Sequence, residues 1–172
     1  RLFEIALQLY DARRDDKALE QLVSVLEADS NFVEAYLLRA NIYQDQGQNK
    51  KALEAYQQSL RTLPDFFPNT YLTMGKLYAA EEQYQAGRQS FEKFLTYKDK
   101  LKNPILEEEA RRGIRNCVFA DSAVKNPVPF EPVNLGDAIN SPAEEYMPAI
   151  TADGSTFIYT RRFKTVTQTG RE

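Results

Sequence analysis

The chain has 172 residues, of which 42% are apolar and 27% are charged, and its formal net charge is −3. This composition suits a globular protein with one good core or two small ones, and it lacks the basic balance that nucleic-acid binding usually requires. The apolar runs are only a few residues long, whereas a membrane-spanning helix needs roughly 20. We therefore expect a folded chain with no membrane span and no nucleic acid as partner. The first residue is Arg1 and no charged-then-apolar leader follows it, so we expect that an upstream segment was removed.

A unit of paired helices recurs three times over residues 1–97. In residues 36–64, small and large residues stand at helical spacing on both sides of Gly47, and Pro64 ends the second run. The same pattern recurs 35 residues later and also occurs 34 residues earlier. The matched small residues are Ala6, Ala18, Ala40, Ala52, Gly75 and Gly87, and the matched large ones are Leu9, Leu22, Tyr43, Tyr56, Tyr78 and Phe91. Small residues let helices approach closely while large ones fill the space beside them, so the pattern predicts three helix hairpins.

This spacing of small and aromatic residues resembles the tetratricopeptide repeat over residues 1–97. The resemblance implies an all-α fold, a right-handed superhelix of three helix hairpins whose first helices line a groove. The first copy departs from the family pattern because it is aliphatic where the others are aromatic, and Gly87 stands where alanine is usual. A helical glycine costs roughly 1 kcal/mol, so Gly87 indicates either a tight contact or a frayed helix.

The resemblance also implies which residues line the groove. They are the residue after the small position of each first helix and its neighbours one turn away. These residues are Phe3, Leu7, Tyr10, Leu37, Asn41, Gln44, Leu72, Lys76 and Ala79. In the family, an asparagine at the Asn41 position can bond the backbone of an extended ligand. The Leu7 side chain has no polar atom, and the groove lacks the cluster of lysines and arginines that holds a terminal carboxylate. We expect a protein or extended peptide as partner; the alternatives are the chain's own tail, a neighbouring chain, or a groove that only packs.

A seventh helix is predicted over residues 104–123, where it would cap the last hairpin. Pro104 suits a first helical turn, three glutamates follow near the positive end of the helix dipole, and an apolar stripe completes the pattern. The predicted stripe consists of Ile114, Cys117, Val118 and Phe119. The lone Cys117 is interpreted as a small buried hydrophobic residue, with a reactive thiol as the alternative. The sequence offers no reason for Gly113.

Residues 125–148 contain five prolines in 24 residues, which forbids regular helix and favours extended backbone. We assign residues 124–146 to a linker or to a strap laid across the helices. The segment is more apolar than a free linker requires, which favours the strap. The apolar residues are Val128, Phe130, Val133, Leu135 and Ile139.

A strand–turn–strand pattern follows in residues 147–160. Asp153 and Gly154 supply the positive φ angles of a tight turn between apolar and β-branched runs. An isolated hairpin does not bury its faces. We therefore expect residues 147–172 either to dock on the helices or a neighbouring molecule, or to be poorly ordered.

Residues 126–162 resemble a junction in envelope proteins of Bacteroidetes-type bacteria. The matching pieces are Val133–Gly136, the Asn140-Ser141 pair and Thr151–Arg162. In that class a tetratricopeptide domain leads into a WD-type β-propeller, often followed by an OmpA-like peptidoglycan-binding domain, and several members look like components of type IX secretion or gliding. The resemblance implies that the hairpin begins a truncated propeller blade whose other strands lie beyond residue 172. Any peptidoglycan binding would then need a downstream domain.

Catalysis is not expected. The chain has no histidine, its carboxylate pairs are neighbours in turns or first helical turns, and no phosphate-binding glycine pattern or nucleophile elbow occurs. We expect no metal and no cofactor. We divide the chain into a helical domain (1–123), the strap (124–146) and the propeller strands (147–172).

The functional prediction is a non-catalytic protein-interaction scaffold of a bacterial envelope assembly related to type IX secretion or gliding. It would be periplasmic and outer-membrane associated, with a lipoprotein as one form of the parent. The alternative is a stand-alone peptide-binding adaptor or co-chaperone of the cytoplasm. An enzyme would require a site outside this chain.

Overall fold

The computed structural model describes residues 1–129, 131–137 and 139–162. Two compact units divide the chain, one at Arg1–Pro127 and one that begins at Val128. The predicted strap residue Phe130 and the last ten residues of the predicted propeller segment lie outside the described residues. The finer division at residues 123 and 146 remains a prediction.

Eight helices make up the described part of the first unit. They are α1 (Leu2–Asp11), α2 (Asp15–Ala28), α3 (Val33–Asp45), α4 (Asn49–Thr62), α5 (Asn69–Ala80), α6 (Tyr84–Leu95), α7 (Lys98–Leu101) and α8 (Pro104–Lys125). The three predicted hairpins are confirmed, because α1 pairs with α2, α3 with α4, and α5 with α6. The four-residue α7 was not predicted. The cap helix α8 runs two residues beyond its predicted end, and Asn103 caps it by accepting a hydrogen bond from the Leu106 backbone N–H.

The three hairpin turns have one geometry. Arg13, Gly47 and Glu82 occupy the same place in the repeat and all have left-handed φ angles of 56°, 69° and 59°. After each of them, a backbone N–H reaches back five residues to a carbonyl oxygen at 2.8–2.9 Å, which closes the helix end. The repeat therefore extends to backbone conformation, although only the second copy has glycine at this position.

The core consists of three clusters, each built from one hairpin and the first helix of the next unit. The first contains Ala6, Ala18, Leu22, Val25, Ala35, Leu38 and Ile42. The second contains Ala40, Ala52, Leu53, Ala55, Tyr56, Met74 and Leu77. The third contains Leu72, Phe91, Phe94, Ala110 and Cys117. Helix α8 thus packs on α5 and α6 as the first helix of a fourth unit would, which is the nearest-neighbour arrangement of repeat proteins.

Gly113 is explained by the ring of Phe91. A Cβ atom built on Gly113 would lie 2.5 Å from Phe91 Cε2, and one built on Gly75 would lie 2.6 Å from Phe91 Cδ1. The Phe91 ring of α6 is therefore packed between Gly75 of α5 and Gly113 of α8. The expected tight contact at Gly87 is also present, because a Cβ there would lie 3.1 Å from the carbonyl oxygen of Gly75.

The predicted apolar stripe of α8 is half wrong. Cys117 is buried and Ile114 is half-buried, but Val118 and Phe119 are 47% and 75% exposed. The buried face runs through Ala110, Gly113 or Ile114, and Cys117 at spacings of three and four. The next two residues after Cys117 turn about 100° and 200° away from that face.

The second unit contains the predicted hairpin. Strand β1 (Glu145–Ile150) pairs antiparallel with β2 (Phe157–Arg161). The register shifts between Tyr146 and Ala149, where Met147 has a φ of 55°.

Gly154 has a φ of 69°, as predicted, but Asp153 does not have the positive φ that the sequence analysis assigned to it, because residues 151–156 form a longer loop between the paired Ile150 and Phe157. The side-chain carboxylate of Asp153 accepts hydrogen bonds from the Thr151 hydroxyl and the Ser155 backbone N–H, and these bonds hold the pKa of Asp153 at about 2.

The described residues contain these two strands and no further strand, so a propeller blade is not shown. Apolar area is exposed on the hairpin, where Ile150 and Ile158 are 67% and 59% accessible. Phe157 and Tyr159 are half-buried, and their ring centroids lie 5.6 Å apart. Val128 and Val133 before the hairpin are more than 80% exposed. The strap and docking interpretations remain predictions. No helix in the described part of the chain is apolar enough over a sufficient length to span a bilayer.

Candidate protein-binding groove

The sequence-predicted groove residues lie on α1, α3 and α5, but they differ in accessibility. Leu7, Asn41, Gln44 and Lys76 are exposed. The half-buried members are Phe3, Tyr10, Leu37 and Ala79. Leu72 is only 4% exposed and belongs to the third core cluster, so it offers a partner little surface.

The centre of the groove is organised by Tyr56, a 4% exposed side chain of α4. Its hydroxyl oxygen lies 2.6 Å from Asn41 Oδ1 and 3.0 Å from Gln44 Oε1. Burial, with a smaller contribution from the negative charge of Asp45, raises the pKa of Tyr56 to about 12. The hydroxyl therefore stays protonated, and it donates its one proton to Asn41 Oδ1, the nearer of the two amide oxygens.

This contact determines what Asn41 and Gln44 can offer a partner. Because their oxygens face the Tyr56 hydroxyl, their NH₂ groups are directed away from it. Within the described residues, neither NH₂ group meets a hydrogen-bond acceptor. The α3 surface therefore presents two amide donors one turn apart, a suitable arrangement for carbonyl oxygens of an extended backbone.

A polar contact joins α1 to α3 at the edge of the groove. The Tyr10 hydroxyl donates to Asp45 Oδ2 at 2.7 Å, and the Arg13 guanidinium lies 3.8 Å from the same carboxylate. The hydrogen bond to Asp45 is the main cause of the raised pKa of Tyr10. Beside this contact, Phe3 packs its ring against Phe32 at 5.0 Å, so the α1 end of the groove is largely apolar.

Lys76 is already paired within the protein. Its Nζ atom lies 2.7 Å from Glu109 Oε1 on α8, with the two side chains 52% and 29% exposed. The ion pair ties α5 to α8 and partly neutralises the cation that the sequence assigned to the groove.

Sequence reasoning missed that α8 repeats the burial pattern of α3 and α5. Helices α3, α5 and α8 each bury two residues seven apart, and the residue before the second of them is exposed. The buried pairs are Ala35 and Ile42, Thr70 and Leu77, and Ala110 and Cys117. The exposed residues are Asn41, Lys76 and Asn116. Asn116 therefore occupies on α8 the position of Asn41 on α3; this spacing was present in the sequence but was obscured by the predicted stripe.

A cavity of about 380 Å³ opens on the other flank of α8, where it contacts α6. It is lined by Arg88, Glu92 and Asp121, and Cys117 lies at its base. Cys117 is 2% exposed, and burial raises the pKa of its thiol. Its interpretation as a small buried hydrophobic residue is confirmed. The described residues hold no cluster of three or more potential metal ligands.

Family profiles match two of the three repeats. Residues 33–66 and 68–100 each match the tetratricopeptide repeat. The first hairpin, which the profiles do not cover, has the same buried small residues and the same turn geometry. No curated protein matches the chain.

Solved structures with the same fold are also found. A crystal structure of MamA protein is 16% identical with a TM-score of 0.52, covering 76% of this chain and 78% of that one. The TPR2B domain of yeast Sti1 in complex with an Hsp70 peptide is 12% identical with a TM-score of 0.57, covering 68% and 96%. The first TPR domain of Spaghetti (RPAP3), bound to the HSP90 peptide SRMEEVD, is 17% identical with a TM-score of 0.56, covering 70% and 90%.

These comparisons confirm that the chain carries tetratricopeptide repeats and has a mostly helical fold of that type. Proteins with such repeats mediate protein–protein interactions and are generally non-catalytic. At these identities the solved structures support the fold alone.

Proposed function

We propose that the helical unit binds an extended protein segment along the groove formed by α1, α3, α5 and α8. The observation that carries this proposal is the arrangement at Tyr56. A buried hydroxyl donates its proton to Asn41 Oδ1 at 2.6 Å, and Gln44 Oε1 lies 3.0 Å from the same hydroxyl, so both NH₂ groups are directed away from Tyr56. Two such donors suit the main-chain carbonyls of a peptide, because they recognise backbone independently of its sequence.

The groove is asymmetric along its length. Phe3, Leu7 and Tyr10 provide apolar and aromatic area at the α1 end, while Lys76 and the polar side chains of α8 lie at the other end. A partner segment with apolar side chains toward one end and polar ones toward the other fits this gradient. No bond is made or broken in this function.

The groove is tested by a random peptide library displayed on phage and selected on the chain. Asn41→Ala combined with Gln44→Ala should weaken selected peptides roughly tenfold, because two donors are lost. The combination of Asn41→Ala with Lys76→Ala tests whether Lys76, on α5, contributes to the affinity for the peptide.

The matched control is Gln58→Ala with Gln89→Ala, two exposed amides on the second helices α4 and α6. Unchanged affinity in the groove variant, or an equal loss in the control, would overturn the proposal.

We further propose that this binding serves an envelope assembly of the type IX secretion or gliding class, in the periplasm and at the outer membrane. The support is the junction resemblance of residues 126–162, whose Thr151–Arg162 piece contains the turn and second strand of the hairpin. On this proposal the parent protein, with propeller and OmpA-like domains, places the repeats in the envelope.

The alternative is an adaptor or co-chaperone. Its support is the likeness of the helical unit to peptide-bound domains of yeast Sti1 and of Spaghetti (RPAP3). The Lys76–Glu109 ion pair weighs against a terminal carboxylate held by Lys76, because that cation is engaged before the carboxylate arrives.

Affinity capture with the full-length parent protein distinguishes the envelope proposal from the adaptor alternative. Envelope extracts of a Bacteroidetes bacterium should yield outer-membrane or secretion proteins, dependent on Asn41 and Gln44. Recovery of cytosolic chaperones alone would defeat the envelope setting and favour the adaptor.

A further inference from the structure

A second cavity lies between α5 and α8, at the α8 end of the groove. It has a volume of about 220 Å³ and is lined by Lys76 and Ala79 of α5 and by Glu109, Arg112 and Asn116 of α8. The ring of Phe91 and the backbone at Gly113 form its floor. Drug-sized ligands use pockets of about 300 Å³ or more, so this space suits a single amino-acid side chain.

The charges around the cavity favour an anion. The Lys76 ammonium and the Glu109 carboxylate neutralise each other at 2.7 Å. Arg112 also lines the cavity, and no carboxylate in the described part of the chain lies within 4.0 Å of its guanidinium. The charges of the lining therefore sum to one positive charge, and Arg112, which also helps to lower the pKa of Glu108, carries the side chain best shaped to hold a carboxylate through two parallel hydrogen bonds.

The remaining wall supports the same ligand. Asn116 stands on α8 where Asn41 stands on α3, and its amide adds a neutral donor beside Arg112. Phe91 and Ala79 give the cavity an apolar side, against which the methylene groups of a side chain can lie. A carboxylate on a short aliphatic stem satisfies both features.

We propose that this cavity is a subsite for an acidic residue, preferably glutamate, of the peptide in the groove. Arg112 and Asn116 receive the carboxylate, while Lys76 holds Glu109 aside. The inference rests on the proposed groove function and adds a specificity to it. The α3 amides read the backbone, and the α8 side chains select one residue.

The test is a double-mutant cycle on a peptide selected from the phage library. The peptide is prepared with its enriched acidic residue as Glu and as Gln, and both forms are titrated against the wild-type chain and against Arg112→Gln. The Glu form should bind wild type roughly threefold to tenfold better, and this preference should vanish in Arg112→Gln. Asn116→Ala should reduce the preference without abolishing it.

Arg115→Gln is the matched control, because it removes the same charge from the same helix. Arg115 is exposed and pairs with Glu108 at 2.8 Å. It should leave the Glu preference within about twofold, since exposed pairs carry little energy. Thermal melting of each variant verifies that it is folded.

These experiments distinguish a failure of the subsite proposal from a failure of the groove proposal. Peptides that bind with Asn41 dependence but show no Glu preference, or lose it equally in Arg115→Gln, would overturn this subsite and leave the groove standing. Failure to select any peptide that depends on Asn41 would overturn the groove, and the subsite with it.

Discussion

The second and third hairpins use the same position for different purposes. Tyr56 and Phe91 are equivalent by the 35-residue repeat, and both are almost fully buried. Tyr56 sends a hydroxyl to the groove surface, where it orients Asn41 and Gln44. Phe91 has no hydroxyl and instead lies between Gly75 and Gly113. One residue type organises a polar surface, and the other locks three helices together.

The difference shows how a repeat divides its tasks. At the second hairpin, alanines stand at the helix contact, and the buried Tyr56 hydroxyl donates its hydrogen bond to the amide of Asn41. At the third hairpin, Gly75 and Gly113 leave room for the Phe91 ring, and Gly87 leaves room for Cys117 of α8. The polar binding surface and the tight closure of the array are therefore built from equivalent positions in consecutive units.

The largest effect on stability is expected from removing the Phe91 ring. Phe91→Ala should lower the free energy of unfolding by about 3–5 kcal/mol, because a buried ring is replaced by a void between α5, α6 and α8. Urea unfolding followed by circular dichroism measures it. A loss below about 1 kcal/mol would show that the ring is not the element that holds α8.

The next effect depends on pH and belongs to Tyr56. Its pKa is about 12 in the folded protein against 10.0 when unperturbed. The folded state therefore binds the proton more tightly, and this stabilisation is present below pH 10 and lost as pH rises through about 12. The wild type should lose about 2–3 kcal/mol of stability across that window that Tyr56→Phe does not lose. Equal pH dependence in both chains would contradict burial of the hydroxyl.

Gly113→Ala gives a smaller effect whose sign depends on Phe91. With the ring in place, the added methyl group meets it at 2.5 Å, and we expect a net loss of about 1 kcal/mol after the gain in helix propensity. In the Phe91→Ala background the clash is gone, so the same change should stabilise by up to about 1 kcal/mol. If Gly113→Ala changed the free energy of unfolding in the same direction in both backgrounds, the packing of Phe91 between Gly75 and Gly113 would be contradicted.

The smallest effect concerns the turns. Glu82 has a φ of 59°, where Gly47 stands in the preceding repeat. Glu82→Gly should raise stability by about 1 kcal/mol, because a side chain in the left-handed region is strained. Thermal melting should show the opposite shift for Gly47→Ala, the matched change at the equivalent turn. A decrease with Glu82→Gly would contradict the shared turn geometry.

The repeats could be predicted because they depend on local spacing. Ala40, Ala52, Gly75 and Gly87 are read directly from their positions, and Asp153 and Gly154 mark the hairpin turn for the same reason. Helix pairs and tight turns are determined by residues near one another in the chain.

The α8 register could not be obtained in that way. Its apolar residues Val118 and Phe119 suggested a stripe, but the buried face is chosen by the fit of Gly113 against Phe91 and of Cys117 near Gly87. Two glycines that carry no hydrophobic signal decided it. The helix face that α8 buries also places Arg112 and Asn116 in one cavity lining with Lys76, a residue far from them in sequence.

The most direct test of groove binding is the response of side-chain amides to a bound peptide. In ¹H–¹⁵N spectra, the NH₂ resonances of Asn41 and Gln44, assigned by substitution, should shift on addition of a phage-selected peptide, while those of Gln58 and Gln89 should stay in place. Shifts of Gln58 and Gln89 with Asn41 and Gln44 unchanged would place binding on the second helices and contradict the account.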